Sequence, residues 1–216
     1  IIGLGWGNTR PQVLMDGAST VTLAVSAADV WIENIIFLAG HADIATFCNL
    51  TAARLTLKDC DFIENTSAEN FLLIVDTGTT NNEADGLALI GCRVIQPDTA
   101  TVNVIKFDGD CDSVVIRDSF LSLGVNDSNA VFGVATGKDL TNIDCCYNRI
   151  TRLNTAGDLL FDSDTTDNSG IVAFNVFFHA DTSGEVIVDL TGVGVFENYG
   201  GAVVDKSGYL LPVADS

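Results

Sequence analysis

One eight-residue pattern recurs along the chain and constrains its fold more than any other feature. The pattern reads apolar-x-apolar-x-x-small-x-apolar, and successive copies start 22 to 32 residues apart. The seven copies begin at Val30, Leu55, Leu87, Val114, Thr141, Ile171 and Val193. A period of this length with variable spacing is typical of a solenoid, in which insertions enter the turns while the strands keep their length.

Each copy contains two short strands joined by a one-residue bend. Apolar residues alternate, the alternation slips by one position, and it then resumes, which indicates a strand, a bend and a second strand. Five of the seven residues predicted at the bend are Asn, Asp or Gly, the types that best tolerate a left-handed backbone. The predicted bend residues are Asn34, Asp59, Gly91, Asp118, Cys145, Asn175 and Glu197.

A third apolar strand precedes each copy, for example over residues 104–107 and 131–134. Val, Ile, Thr and Phe are abundant, which argues against the alternative of a helical repeat. The sequence therefore predicts an all-β, right-handed, single-stranded parallel β-helix of about eight coils with three strands per coil. Residues 1–207 are expected to form this domain, and residues 208–216 a capping or partner-contacting tail.

The six cysteines are predicted to be buried free thiols. They show no C-x-x-C spacing, and three of them, Cys60, Cys92 and Cys146, fall at the small position of the pattern. Stacked coils would place this position in one internal column, and free thiols suit a chain that folds in a reducing cytoplasm. The predicted column is Ile35, Cys60, Cys92, Ser119, Cys146 and Val176.

The charge of the chain is strongly acidic. Twenty-nine Asp and Glu residues stand against ten Lys and Arg residues, a formal net charge of −19 at pH 7. Nucleic-acid binding depends on neutralising phosphates with cations, so this composition argues against it. The sequence has no apolar stretch of the ~18 residues that a membrane span needs, and no signal peptide is predicted.

The outward residue of the second short strand becomes aromatic in the C-terminal half. The predicted outward row is Ile36, Asp61, Arg93, Phe120, Tyr147, Phe177 and Tyr199. The neighbouring outward positions Phe174 and Phe196 are also aromatic. Phe120, Tyr147, Phe177, Tyr199, Phe174 and Phe196 are therefore the predicted oligomer or partner interface.

Three occupants of this surface remain open. Oligomerisation that buries the rings between copies of the chain is the first. The second is coverage by the C-terminal residues 208–213, or a change of register that turns the rings inward. Stacking of a carbohydrate on the rings is the third.

The repeat and both ends of the chain carry a family resemblance. The repeat resembles that of the pectin-lyase-like right-handed parallel β-helix superfamily. Residues 2–11 (IGLGWGNTRP) and 204–212 (VDKSGYLLP) are similar to the first-coil and last segments of an uncharacterised group of bacteriophage β-helical proteins. The resemblance covers essentially the whole chain. It implies a phage structural protein, and it implies that polysaccharide cleavage has to be considered, because many members of the superfamily cleave acidic polysaccharides.

The outward strand faces lack the carboxylate pattern of a polysaccharide hydrolase. Glycoside hydrolysis needs two carboxyl groups ~5 to 10 Å apart, and the strands carry no adjacent Asp pair and no Asn-Thr-Asp triplet. The two histidines, His41 and His179, fall in different coils. We therefore expect no catalytic residue and no cofactor, and acids near Asp162 and Asp164 are the ones that an enzymatic alternative would use.

Two other charged patterns favour structural roles. The outward pairs Glu33–Lys58 and Asp61–Arg93 are expected to stack on adjacent coils as surface ion pairs. The alternating acids of residues 108–112 resemble a calcium loop, but Ser119 occupies the twelfth position where such loops carry Glu. A solvated acidic turn is favoured there, and no metal site is predicted.

The functional expectation is a non-enzymatic structural protein of a bacteriophage virion. A capsid decoration or cement protein that assembles as a homotrimer is favoured, with phage capsid or tail proteins as partners. The chain would be made in the bacterial cytoplasm and lie on the virion surface. The alternative is a tailspike-type β-helix that degrades or binds a polysaccharide.

Overall fold

The chain forms a parallel β-solenoid. The computed structural model describes residues 1–66, 68–97, 103–124, 130–152, 159–162, 167–179, 187–202 and 209–210. In these ranges the only helical segment is a 3₁₀ turn, Gly7–Thr9. The strands are β1 (Gln12–Met15), β2 (Leu23–Val25), β3 (Trp31–Glu33), β4 (Ile36–Ala39), β5 (Cys48–Leu50), β6 (Thr56–Lys58), β7 (Asp61–Glu64), β8 (Leu73–Thr77), β9 (Ala88–Ile90), β10 (Arg93–Gln96), β11 (Asn103–Phe107), β12 (Cys111–Asp112), β13 (Val115–Arg117), β14 (Phe120–Leu123), β15 (Phe132–Val134), β16 (Leu140–Thr141), β17 (Ile143–Cys146), β18 (Arg149–Arg152), β19 (Leu159–Asp162), β20 (Gly170–Ala173), β21 (Val176–His179), β22 (Ile187–Asp189), β23 (Val193–Phe196), β24 (Tyr199–Ala202) and β25 (Tyr209–Leu210).

Three parallel sheets run along the solenoid, as the repeat predicts. Sheet 1 has the order β3-β6-β9-β13-β17-β20-β23 and sheet 2 the order β1-β4-β7-β10-β14-β18-β21-β24-β25. Sheet 3, which contains the third strand of each coil, has the order β2-β5-β8-β11-β15-β19-β22, and β12 and β16 form a small extra pair. The predicted all-β parallel β-helix with three strands per coil is confirmed.

The solenoid has about six turns in the described residues, fewer than the predicted eight. Seven strands of sheet 1 are in register, and these enclose six turns. The first coil is partial, because β1 pairs with β4 while Ile2 makes only an isolated bridge to Glu33. At the other end, β25 pairs antiparallel with β24. The proposed capping role of residues 208–216 stays a prediction.

A row of left-handed residues forms the corner between sheets 1 and 2, which we call the bend corner. Every member has a φ between 51° and 62°. The row consists of Asn34, Asp59, Gly91, Asp118, Tyr147, Phe174 and Glu197. Five predicted members are confirmed, whereas Cys145 and Asn175 were wrong, and the left-handed positions are instead Tyr147 and Phe174.

The two errors have one cause, a misplaced repeat in coils five and six. Strand pairing aligns Val115 with Asp144 and Asp144 with Ile171, so the pattern begins at Ile143 and Gly170. The sequence had placed these copies at Thr141 and Ile171. The correct alignment puts asparagine at the small position, which a search for small apolar residues passes over.

The internal column beside the bend corner is therefore partly polar. Its members are Ile35, Cys60, Cys92, Ser119, Asn148, Asn175 and Asn198, and all are buried. Cys146 and Val176 were wrongly predicted in it, since Cys146 is in register with Arg117 and Val176 with Arg149. The three asparagines form a ladder in which Asn148 Nδ2 donates to Asn175 Oδ1, and Asn175 Nδ2 donates to Asn198 Oδ1, each over 3.0 Å.

Phenylalanine rings fill much of the remaining interior. Phe37, Phe47 and Phe62 form one cluster, with ring centroids 4.6 to 5.5 Å apart. Phe132 and Phe161 form a second, at 4.9 Å. Phe177 is in register with Ile150 on the inward row of sheet 2 and has no exposed surface, so its predicted outward position was wrong.

All six cysteines are free and buried, as predicted. Burial raises the pKa of Cys48 and of Cys111 to about 12, and that of Cys146 to about 11. A raised pKa lowers the fraction of reactive thiolate at neutral pH.

We expect the thiols of the folded chain to resist modification. At pH 8 the native protein should react with a chromogenic disulfide reagent at least about 100-fold more slowly than the chain unfolded in urea, because burial keeps the reagent from all six thiols. This includes Cys60, whose pKa is lowered by its hydrogen bond with Cys92. Absorbance of the released thiolate measures the rate. The unfolded sample is the control and should show six reactive thiols. Rapid labelling of even one thiol in the folded protein would contradict the burial.

Candidate interaction site

Two exposed aromatic residues occupy adjacent positions of the bend corner. The rings of Tyr147 and Phe174 stack with centroids 5.0 Å apart and planes 4° from parallel. Phe196 of β23 meets the Phe174 ring edge-on at 5.7 Å. The three residues are 54%, 36% and 43% exposed, respectively. We call Tyr147, Phe174 and Phe196 the aromatic corner.

The backbone at these positions disfavours large side chains. Tyr147 has φ 60° and Phe174 φ 57°. The left-handed conformation costs roughly 1–2 kcal/mol for a residue with a Cβ, and a bulky residue there is an outlier. Asn34 and Gly91 fill the same row elsewhere with residue types that tolerate it. Stacking of two rings contributes about 0.5–1.5 kcal/mol, which does not offset the strain at two positions.

A groove borders the aromatic corner on the outer face of sheet 1. It encloses about 370 Å³, and its lining includes Cys146, Ile171 and Asn142 in addition to the three rings. Ile171 is exposed, whereas the sequence had wrongly placed it as the first inward apolar residue of its repeat copy. The groove ends at an ion pair in which Arg117 Nη2 lies 2.5 Å from Asp144 Oδ2. The hydrogen bond to Asp144 raises the pKa of Arg117.

Two carboxylates flank the stacked rings along the bend corner. Asp118 precedes Tyr147 in the row, and Glu197 follows Phe174. Both side chains are exposed. The row thus presents a carboxylate, two stacked rings and a second carboxylate on four consecutive coils, with ~4.8 Å between neighbours.

The structure brings three of the six predicted interface residues together. Phe120 and Tyr199 do face outward on sheet 2, but Arg149 and Val176 occupy the row between them. Phe120 is half-buried, with the Arg149 guanidinium 5.7 Å from its ring centroid. The predicted four-ring ladder is therefore wrong, and it is replaced by the aromatic corner. Asparagines at 148, 175 and 198 were the available signal for the correct alignment.

The N-terminal half presents the predicted ion pairs. Lys58 Nζ lies 2.7 Å from Glu33 Oε1, and Arg93 Nη2 lies 3.1 Å from Asp61 Oδ2. Arg10 also pairs with Asp61. The hydrogen bond from Lys58 lowers the pKa of Glu33. Both pairs join adjacent coils as predicted, but Asp61 is buried, so only the Glu33–Lys58 pair lies at the surface.

The acids of residues 108–112 are bound by neighbouring protein groups. Lys106 Nζ lies 2.9 Å from Asp108 Oδ2, and Asp110 accepts a hydrogen bond from the backbone N–H of Asp139. Asp112 accepts hydrogen bonds from Thr141 and Asn142, and the bond from Thr141 is the main cause of its lowered pKa. Within the described ranges, no group of three or more His, Cys, Asp or Glu side chains could hold a metal ion.

One acid with a raised pKa lies on sheet 3. Burial, and then the neighbouring Asp108 carboxylate, raise the pKa of Asp76. The sequence had instead pointed to Asp162 and Asp164, but Asp164 and the side chain of Asp162 lie outside the described residues. His41 Nδ1 lies 2.8 Å from the Ala42 carbonyl oxygen, and the His179 side chain also lies outside the described part.

Comparison with known proteins adds no relative. No family model, no curated protein and no solved structure matches the chain. None of the residues that the structure describes forms a helix long and apolar enough to span a membrane. The candidate site therefore rests on the geometry of this chain alone.

Proposed function

We propose that this chain is a non-enzymatic structural protein of a bacteriophage particle, a capsid decoration or cement protein that docks through the aromatic corner. One observation carries the proposal. Tyr147 and Phe174 are exposed and hold large rings in a left-handed backbone conformation where four of the other five coils use Asn, Asp or Gly and the fifth uses Glu. Local strain that the fold does not need is typical of positions retained for function.

The ring geometry favours a protein partner over a sugar. A sugar packs its C–H groups on the free face of an aromatic ring. Tyr147 and Phe174 each cover one face of the other ring, and Phe196 also contacts Phe174, so only the second face of Tyr147 is left open for a sugar. The edges of the stack, together with Ile171, form an apolar ridge that suits the centre of a protein–protein contact.

The phage assignment is supported by resemblance and by the thiols. The terminal segments 2–11 and 204–212 are similar to those of phage β-helical proteins. The repeat resembles that of the pectin-lyase-like right-handed β-helix superfamily. Six free buried cysteines suit synthesis in a reducing bacterial cytoplasm. A rigid solenoid with a net charge of −19 suits a soluble particle surface.

The test is incorporation into particles. A doubly substituted chain, Tyr147→Asn with Phe174→Asn, should be at least about tenfold depleted from purified phage particles relative to the unmodified chain, as counted by quantitative mass spectrometry. The loss is expected because an interface concentrates its binding energy in a few central aromatic residues.

Two controls separate lost docking from lost folding. Asparagine tolerates the left-handed conformation, so circular dichroism and the thermal midpoint of the double variant should stay close to those of the unmodified chain. Trp31→Thr removes an exposed aromatic about 19 Å along the axis and should leave incorporation unchanged. Absence of the unmodified chain from particles would refute the proposed function.

The homotrimer is proposed separately from the particle location. Sedimentation equilibrium would give three times the 22.8 kDa chain mass if it forms. If the chain is monomeric at all concentrations, the trimer is refuted, whereas the proposed docking onto another protein is not affected.

A polysaccharide-degrading β-helix is the second candidate. The raised pKa of Asp76, beside Asp108 and Lys106, is the observation that favours it, because perturbed acids occur at catalytic sites. Turnover of a capsular or pectic polysaccharide that Asp76→Asn abolishes would establish it.

A further inference from the structure

We infer that the aromatic corner and the two carboxylates beside it bind a partner segment that carries arginine or lysine next to an apolar side chain. This inference rests on the proposed docking surface and names its occupant. Asp118, Tyr147, Phe174 and Glu197 follow one another on consecutive coils. The row therefore offers apolar area in the middle and a negative charge at each end.

The open face of Tyr147 is a site for a cation. One face of this ring is covered by Phe174, which leaves the opposite face on the side of Asp118. Aspartate is shorter than tyrosine, so the outer part of that face stays open. A guanidinium placed there would meet the ring face and a carboxylate together, which combines a cation–π contact with an ion pair.

The protein's own cations do not satisfy these carboxylates. Arg117 and Arg149 adjoin the bend corner in sequence. Arg117 is paired with Asp144, and Arg149 lies over the Phe120 ring. Among the described residues, no Lys or Arg side chain forms an ion pair with Asp118 or Glu197, and Arg117 interacts with Asp118 only weakly compared with its pairing to Asp144. Their charge is available to a partner.

Charge also disfavours a second copy as the occupant. Each copy carries −19, and a symmetric contact at the corner would bring equivalent Asp118 and Glu197 side chains toward one another. Like charges across an interface oppose association. A cationic segment of a different protein removes this repulsion and gains attraction from the whole acidic surface.

The test uses two end-blocked peptides that differ only in charge. The cationic probe is Arg-Leu-Arg, and the neutral probe is citrulline-Leu-citrulline, which keeps the shape and removes the positive charge. Binding to the intact chain is followed at low salt by the ring-proton NMR signals of Tyr147. The cationic probe should shift these signals in a saturable manner, with an affinity at least about threefold above that of the neutral probe.

Matched variants locate the binding. Asp118→Asn with Glu197→Gln should weaken binding of the cationic probe at least about threefold. Tyr147→Asn with Phe174→Asn should abolish saturable binding. Calorimetry measures binding to this variant, because it lacks the Tyr147 ring whose NMR signals report binding in the unmodified chain. Asp16→Asn with Asp43→Asn makes the same charge change at exposed positions away from the corner and should leave the affinity unchanged.

The outcomes separate this inference from the proposed function. Equal weakening by both charge variants, or equal binding of both probes, would overturn the inference. The inference would also be overturned if the chain forms a trimer and the double substitution Tyr147→Asn with Phe174→Asn dissociates it, because the corner would then bind a second copy. In either case, corner-dependent incorporation into particles would still support the proposed function. Specific binding of the cationic probe by a chain that is absent from particles would refute only the phage location.

Discussion

Replacing Asn175 by alanine is expected to destabilise the solenoid by about 3–5 kcal/mol. The Asn175 side chain accepts hydrogen bonds from the backbone N–H and the Nδ2 of Asn148. It donates to the carbonyl of Cys145 over 2.8 Å and to Asn198 Oδ1. Alanine leaves at least two buried backbone groups without these partners. Each unsatisfied buried group costs about 1–3 kcal/mol.

Urea denaturation followed by circular dichroism would measure this loss. Asn49→Ala is the matched control, because Asn49 is exposed on sheet 3, and its removal should change stability by less than about 0.5 kcal/mol. A loss for Asn175→Ala as small as that of the control would show that the asparagine ladder does not stabilise the coils.

Phe62→Ala is expected to cost about 3–5 kcal/mol through a cavity in the N-terminal coils. The Phe62 ring has no exposed surface. It stacks on Phe37 with centroids 5.5 Å apart and meets Phe47 edge-on at 4.9 Å. Truncating a buried ring removes its transfer free energy and leaves a void that neighbouring coils cannot close.

Hydrogen exchange would show where each substitution acts. Coils of a solenoid contact only their neighbours, so a local defect weakens the coils near it most. Phe62→Ala should speed exchange chiefly in β4, β7 and β10, and Asn175→Ala chiefly in β17, β20 and β23. Phe120→Ala, a truncation of a half-buried ring, is the control for Phe62→Ala and should cost clearly less. Uniform acceleration along the whole chain in both variants would contradict local stabilisation.

Most of the fold could be predicted from the repeat, because the spacing of apolar residues reflects strand geometry directly. The pattern beginning at Val30, Leu55, Leu87 and Val114 predicted strands and bends that the structure confirms. The ion pair between Glu33 and Lys58 followed from the same alignment. These features depend on residues close together in sequence and on a fixed coil spacing.

The interaction site could be predicted only in part. Tyr147, Phe174 and Phe196 were recognised as exposed aromatics, but Tyr147 was placed on the wrong row and Phe177 on the wrong face. Because side chains alternate with a period of two, a one-residue error in alignment exchanges inside and outside. In coil six the only signal for the correct alignment is Asn175, which a pattern of small apolar residues does not include.

The sequence by itself determined a three-stranded parallel solenoid with buried thiols and an acidic surface. Only the tertiary structure decided that asparagines occupy the internal column, because a buried amide is stable there only when the next coil supplies its hydrogen-bond partner. That column sets the register of coils five and six. The register in turn places Tyr147 and Phe174 at the bend corner, where their rings meet each other and face outward.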